Sequence, residues 1–294
     1  MTDLISKHNR SKSGPYAFSL LIPSWNNIGY LSLCIRSIKD NSKLDIQIIV
    51  IVNEGIDGTI EWLENQVDID YVHAKENIGI CYGLNIARSL IKSEYLVYLN
   101  DDMYMLPGWD LNLLEEIKKL NTKKFMISCT MIEPYDTGNS CVIVKNYGDD
   151  LQSFNEELLL KEYRKFYKND WSGSTWPPNV VHIDMWDLVG GLSIEFSPGM
   201  YSDPDFSRKL YAAGVRIFKG TGKSLAYHFG SKSTKRIKKN LGRITFLNKW
   251  GITSKTFTKD YLKLGKPFSG PLTNLASDPG KKIINRIKRI IIGF

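Results

Sequence analysis

The sequence has no hydrophobic run long enough to cross a bilayer. Its longest apolar stretches, residues 20–23 and 46–52, are strand-length, whereas a spanning helix takes ~20 apolar residues. The first fifteen residues are polar and lack the apolar centre of a secretory leader. Cysteine is scarce: Cys34, Cys81, Cys129 and Cys141 lie 47, 48 and 12 positions apart. None forms a C-x-x-C pair, and the density is far below that of a disulfide framework, so a reduced, cytoplasmic chain is the simplest expectation. Glycine and proline are scattered without period, there is no internal repeat, and a collagen-like or low-complexity chain is excluded. Neither G-x-G-x-x-G nor G-x-x-x-x-G-K-[ST] follows the first apolar strand, which argues against a dinucleotide oxidoreductase or a P-loop NTPase.

What is present is an ordinary globular composition. Of 294 residues, 43% are apolar and 24% charged, which excludes a disordered chain and fits one large domain or one domain with an appendage. Lys and Arg number 39 against 31 acids, a net charge of +8. Much of that excess is late: residues 232–249 carry seven basic residues and no acid, and residues 281–289 carry five more. Such a balance points to an anionic partner or simply to a soluble basic surface. The 232–249 run has no recognisable nucleic-acid-binding signature, and no nucleic-acid partner is expected.

The first hundred residues alternate strand and helix signals. Residues 18–22 form a short apolar run, and Leu31, Cys34, Ile35 and Ile38 recur at helical spacing. The β-branched run 46–52 reads as a strand buried on both faces. Residues 59–66 read as a short helix, 69–72 as a strand, 80–91 as a helix and 95–99 as a fourth strand. This β-α-β-α-β-α-β order implies an α/β fold, a mostly parallel sheet with helices on both faces. The second half is less regular. Strands are expected at 125–131, 215–218 and 225–228, helices at 155–167, 204–213, 239–250 and 254–264, and a Pro/Gly-rich linker at 265–280.

Ligands of such sheets bind beyond the carboxyl ends of the strands, which singles out residues 24–27, 53–57 and 100–103. In the last of these, Asp101 and Asp102 are adjacent and leave an extended chain in different directions. One can accept a hydrogen bond from a sugar hydroxyl while the other holds a hard divalent cation such as Mg²⁺ or Mn²⁺, commonly completed by phosphate oxygens. A second acidic pair, Asp203 and Asp205, flanks Pro204 at an expected helix start, where aspartate is also a common cap.

The stretches FSLLIPSWNN (18–27), IIVIVNEGIDGT (48–59) and ENIGICYGLNIARSLIKSEYLVYLNDDM (76–103) resemble glycosyltransferase family 2, the nucleotide-sugar-dependent enzymes of GT-A fold. The resemblance covers roughly residues 16–250 and rests on several motifs in family order at family spacing. It implies that Pro23, Ser24 and Asn26 contact the nucleotide. Glu54 stands where an acid binds the nucleobase, with Asn53 in place of the preceding acid. Asn77 and Gly79 match the loop that closes over the nucleotide. Asp101 matches the ribose ligand and Asp102 the metal ligand of a D-x-D region whose first position is Asn100 here. Asp203 matches the base of inverting members, with Ser202 in place of the usual Glu, and Asp205 takes a structural or capping role. His228 matches a metal-ligating histidine, and imidazole suits Mn²⁺. Trp186, Gly190 and Gly191, in MWDLVGGL, match the acceptor side.

The resemblance thus implies an inverting transferase dependent on Mn²⁺ or Mg²⁺. It would move a sugar from a nucleoside diphosphate sugar to a saccharide or lipid-linked hydroxyl, in polysaccharide or glycolipid assembly. A catalytically inactive nucleotide-sugar-binding homologue and a basic nucleic-acid-binding protein are the alternative readings. The expected division is a polar segment 1–15, a catalytic domain 16–264 with a nucleotide half (16–103) and an acceptor half (104–264), the linker 265–280, and the tail 281–294. On a helix the tail, KKIINRIKRIIIGF, places isoleucines on one side and basic residues on the flanks. That pattern suits an anionic membrane surface on the cytoplasmic side.

Overall fold

In the computed structural model, which describes residues 4–230, 240–274, 280, 284, 285 and 287–289, the β-branched run, with Gln47 as its second residue, becomes β3 (Ile46–Asn53), with all but its first residue buried. Successive side chains of a strand point to opposite faces. Ile48, Val50 and Val52 therefore pack on the face covered by α1 (Ile28–Asn41) and α4 (Trp109–Lys118), while Ile49 and Ile51 face α3 (Gly79–Ala87) and α7 (Ser202–Ala212). Both faces are covered, so the sequence of β3 shows no polar alternation.

Around it, β2 (Phe18–Trp25), β4 (Ile69–Ala74) and β5 (Tyr95–Tyr98) run parallel in the order β4-β3-β2-β5. At the outer edge β1 (Ile5–His8) pairs antiparallel with β4, so part of the polar segment 1–15 belongs to the sheet. On the other side β10 (Asn179–His182) runs antiparallel to both β5 and β7 (Phe125–Glu133). β11 (Ile217–His228) is parallel to β7, and β6 (Met103–Met105) returns antiparallel along β11. Because β10 is reversed against both neighbours, β7 and β11 point the same way as β2–β5. The carboxyl ends of β2, β3, β5, β7 and β11 therefore lie along one edge of the sheet.

The expected strands at 215–218 and 225–228 are one strand. The Gly-rich KGTGK between them reads as a loop, but it is an irregularity within β11, where the register to β7 shifts between Thr221 and Leu225. Gly220 lies under the Trp171 ring and Gly222 against the Lys168 carbonyl, where no side chain fits. The helix expected at 254–264 is a short turn, Ser254–Thr256, running into a π-helical turn, Phe257–Tyr261. Residues 265–274 of the expected linker lie along the domain, with Phe268 N donating to the Asp170 carbonyl (3.0 Å) and Leu272 N to that of Arg216 (2.7 Å). Residues 275–279, and most of the tail at 281–294, lie outside the described residues. All four cysteines are buried free thiols. Among the described residues no helix is long and apolar enough to cross a membrane.

The N-terminal segment is fastened by Asp70, fully buried on β4. Its carboxylate accepts from Arg10 N (2.6 Å), Ser11 N (2.7 Å) and Gln47 Nε2 (2.6 Å). Burial pushes this carboxyl up, but the hydrogen bonds from Ser11, Gln47 and Arg10 outweigh it and hold the group below its ordinary value. Asp70→Ala leaves these donors unsatisfied and is expected to cost about 2–4 kcal/mol of unfolding free energy at neutral pH. Because the folded-state value is depressed, the wild-type contribution is present above about pH 4 and fades as pH falls through the folded value. Urea melts of the two proteins should therefore converge in acid; a constant gap would contradict the ionic role.

Candidate active site

Two of the strand-end loops are tied to each other. Asn26 and Glu54 both take left-handed backbone angles, with φ of 46° and 63°, which turn the chain sharply after β2 and β3. Asn26 Nδ2 donates to Glu54 Oε2 (2.7 Å), while Asn26 Oδ1 accepts from Gly55 N (2.9 Å) and Ile56 N (3.0 Å). Asp57 accepts from Ile28 N at 2.8 Å, fixing the start of α1 on the same loop. Pro23 and Ser24 pair with β3 opposite Ile51 and Val52. The Ser24 hydroxyl is buried with no hydrogen-bond partner among the described residues.

Asn53 caps the next loop: its Oδ1 accepts from Ile78 N (2.9 Å). Asn77 Oδ1 accepts from Gly79 N, also at 2.9 Å. Gly79 has φ 73°, and a Cβ there would stand 2.7 Å from Pro198 Cα, so only glycine permits this approach of the 77–79 loop to residues 197–198. Ile80 N closes the contact by donating to the Pro198 carbonyl (2.9 Å).

Asp101 and Asp102 are buried in the turn between β5 and β6. The antiparallel return of β6 sets Met103 opposite His228, and Phe229 N donates to the Asp102 carbonyl (3.1 Å). Side chains follow the backbone: His228 Nε2 is 3.4 Å from Asp102 Oδ1, and His228 Nδ1 is 2.7 Å from Glu133 Oε1. Burial alone would push this imidazole down, but Asp102 and Glu133 together push it up to about 10. The imidazole lies between two carboxylates, whose charge favours its protonated form when no metal is bound.

Among the described residues no three His, Cys, Asp or Glu side chains form a ready-made metal cluster. Asp102 and His228 nonetheless face one another with one oxygen and one nitrogen. Their separation is near the ~3 Å between adjacent ligands of a six-coordinate ion with ~2.1 Å bonds. Carboxylate and imidazole suit Mn²⁺ and, less well, Mg²⁺. The donor set fits a cation whose remaining positions are filled by phosphate and water.

The second acidic pair splits in environment. At the start of α7, Tyr201 takes φ 71° and turns the chain so that Asp203 and Asp205 fall in the first helical turn. Asp205 is buried and neutralised: it accepts from Ser193 Oγ (2.6 Å) and Trp250 Nε1 (2.7 Å) and pairs with Lys249 Nζ (3.0 Å). No such cation stands at Asp203 among the described residues, and desolvation pushes its carboxyl up to about 7. Tyr98 is buried on β5, and burial first, then Asp203, Cys81, Asp102 and Asp101, push its phenol well above its ordinary value.

The MWDLVGGL segment forms α6 (Ile183–Val189), ended by Gly190 in the left-handed conformation. Lys209 of α7 donates to the Val189 and Gly191 carbonyls, and Asn85 of α3 holds Leu192 through both amide atoms (2.7 and 2.8 Å). Gly190 is exposed. Trp186, by contrast, is 3% exposed and packs against Phe206. Its ring is core beneath the glycine turn rather than a face for a sugar.

Glu133 and Tyr98 escaped the sequence reading. Glu133 carries a signal in hindsight: it terminates the apolar run FMISCTMIE as Asp101 and Asp102 follow β5, an acid at a strand's carboxyl end. Tyr98 has none, being one apolar-strand residue among many.

No curated protein matches the chain. Among solved structures, TarS 1-349 of S. aureus superposes with a TM-score of 0.54 at 13% identity, over 72% of this chain and 60% of that one. The same TarS fragment with UDP-GlcNAc gives 0.53 at 12% identity, over 74% and 61%. The mannosyltransferase PcManGT of Pyrobaculum calidifontis, in complex with GDP-Man and Mn²⁺, gives 0.53 at 14% identity, over 96% of this chain and 71% of that one. This chain thus spans about three fifths of the TarS fragment. Identities this low establish the fold, which is GT-A. The family model for glycosyl transferase family 2 matches residues 19–170, just over half of the chain, and the chain belongs to that family.

Proposed function

We propose that the protein is an inverting, divalent-cation-dependent glycosyltransferase that moves a sugar from a nucleoside diphosphate to a hydroxyl of a saccharide or lipid-linked acceptor. The observation that carries this reading is the meeting of Asp102 and His228 at 3.4 Å on the carboxyl edge of the sheet. Solved relatives of this fold hold UDP-GlcNAc and GDP-Man at 12% and 14% identity, which supports a nucleotide-sugar donor without fixing its base or sugar.

In this reading the fastened loops after β2 and β3 form the nucleotide side. Pro23, Ser24 and Asn26 line it, and the buried Ser24 hydroxyl donates to the bound nucleotide. Glu54, held by Asn26, accepts from the base, and Asp101 accepts from the ribose. Asn77 and Gly79 cover the nucleotide from the 197–198 side. Asp102 and His228 hold Mn²⁺ or Mg²⁺, which when bound offsets the charge that develops on the diphosphate leaving group. Asp203 takes the acceptor proton as the new glycosidic bond forms; a base near pH 7 is well matched to that task. Gly190 and Gly191 border the acceptor. A lipid-linked acceptor fits the basic, isoleucine-rich tail, of which Ile284 and Ile287 are 52% and 50% exposed.

Three outcomes are expected. Mn²⁺ with a nucleoside diphosphate should raise the melting temperature by mass action, and Asp102→Asn should abolish the Mn²⁺-dependent part; an unchanged shift would refute the metal role. Asp203→Asn should retain donor binding but lose transfer by roughly 10²–10⁴-fold, and the wild-type rate should climb as pH rises through about 7. The sign for stability is opposite. A carboxyl raised in the fold contributes below its unfolded value and loses that contribution as pH rises through about 7, so Asp203→Asn should be the more stable protein at pH 8. Full transfer activity in this variant excludes the base. Lastly, Ile284→Glu with Ile287→Glu should weaken salt-sensitive binding to phosphatidylglycerol vesicles measured by co-sedimentation; unaltered binding refutes the tail's role.

A further inference from the structure

Glu133 is buried at the carboxyl end of β7, and His228 ends the adjacent parallel strand β11. The two are 95 residues apart in sequence, yet Nδ1 of the imidazole is 2.7 Å from Glu133 Oε1. The other carboxylate oxygen accepts from Thr137 Oγ1 (3.1 Å), and the Glu133 carbonyl accepts from Lys145 N (2.9 Å). The carboxylate is therefore fixed at both oxygens, and its backbone is fixed by the strand β8 (Ile143–Val144) that runs beside it. A neutral imidazole offers one protonated nitrogen and one lone pair, and the partner of the first decides where the second points.

We propose that Glu133 is a positioning residue for His228. By accepting a hydrogen bond from Nδ1–H it fixes the ring's rotation and the tautomer of its neutral form, so that the Nε2 lone pair is aimed at the space shared with Asp102. The proposal rests on the metal reading above. It assigns to the 133–145 segment, which comes from the acceptor half of the chain, a share in building the cation site. A purely structural buried pair would tolerate the loss of the carboxylate charge without any change in cation affinity. A positioning carboxylate would not, since such partners of ligating histidines typically contribute 10–100-fold in metal affinity.

The test measures Mn²⁺ affinity of the full chain from the EPR signal of the free ion, and imidazole ligation from the ¹⁴N coupling in pulsed EPR. Wild type, Glu133→Gln, Glu133→Asp, Thr137→Val and Asp102→Asn are compared, with melting temperatures without metal as the control for folding. Glu133→Gln is expected to bind Mn²⁺ about 10–100-fold more weakly and to lose or alter the nitrogen coupling. Glu133→Asp should recover part of both, and Thr137→Val should sit between wild type and Glu133→Gln. Wild-type affinity and coupling in Glu133→Gln, with Asp102→Asn deficient, would overturn the role of Glu133 alone. Wild-type affinity in Asp102→Asn would overturn the metal reading and this inference with it. If Glu133→Gln fails to fold, Thr137→Val, which leaves both charges in place, decides by the same two readouts.

Discussion

Asp102 and His228 meet because a three-residue strand, β6, turns back along β11. That pairing is the constraint on which the site depends. It converts the turn after β5 from a loose loop into one end of a ladder and buries two carboxylates there. It also brings the last residue of β11 opposite the first of β6. The reversed β10 performs the complementary task on the other flank, keeping β7 and β11 aligned with the parallel half so that Glu133 and His228 end at the edge where β2, β3 and β5 end.

Charge at this edge is tolerated because each buried group is given a distinct environment. A buried unpaired carboxylate is costly and tends to take up a proton. Asp205 avoids that cost through Lys249, Ser193 and Trp250 and thereby anchors α7 to α8 (Gly242–Trp250). Asp203, two residues earlier on the same helix, is half-buried and lacks such an ion pair among the described residues. Two aspartates in one helical turn thus acquire different chemistry from their surroundings. His228, set between Asp102 and Glu133, meets their negative charge in the same way.

The basic excess is partly internal. Lys249 belongs to the acid-free run 232–249, yet it is engaged by Glu195 and Asp205, and Lys209 holds the carbonyls of the glycine turn after α6. Net charge alone, read as a surface property, overstates the basic surface that remains for an anionic partner. Residues 231–239, which carry most of that run, lie outside the described residues.

The alternation of β-branched runs with helical periodicity over residues 18–99 was sufficient to read β2 to β5, α1, α2 (Thr59–Glu64) and α3, because local pattern and burial on both faces agree there. The strand-end positions of Asn26, Glu54 and Asp102 followed from that reading alone. The short strands β6 and β10 were not legible: they are strands only because longer neighbours supply their partners. The Gly-rich middle of β11 reads as a loop for the same reason, its extended form being imposed by β7 and Trp171. The sequence by itself determined the fold class, the strand-end edge of the sheet and the acids placed there. The tertiary structure decided that Glu133 joins His228, that Asp205 pairs with Lys249, and that Trp186 is core. Each of these depends on a partner far away in sequence, and local propensity carries no information about which distant side chain will stand within hydrogen-bond reach.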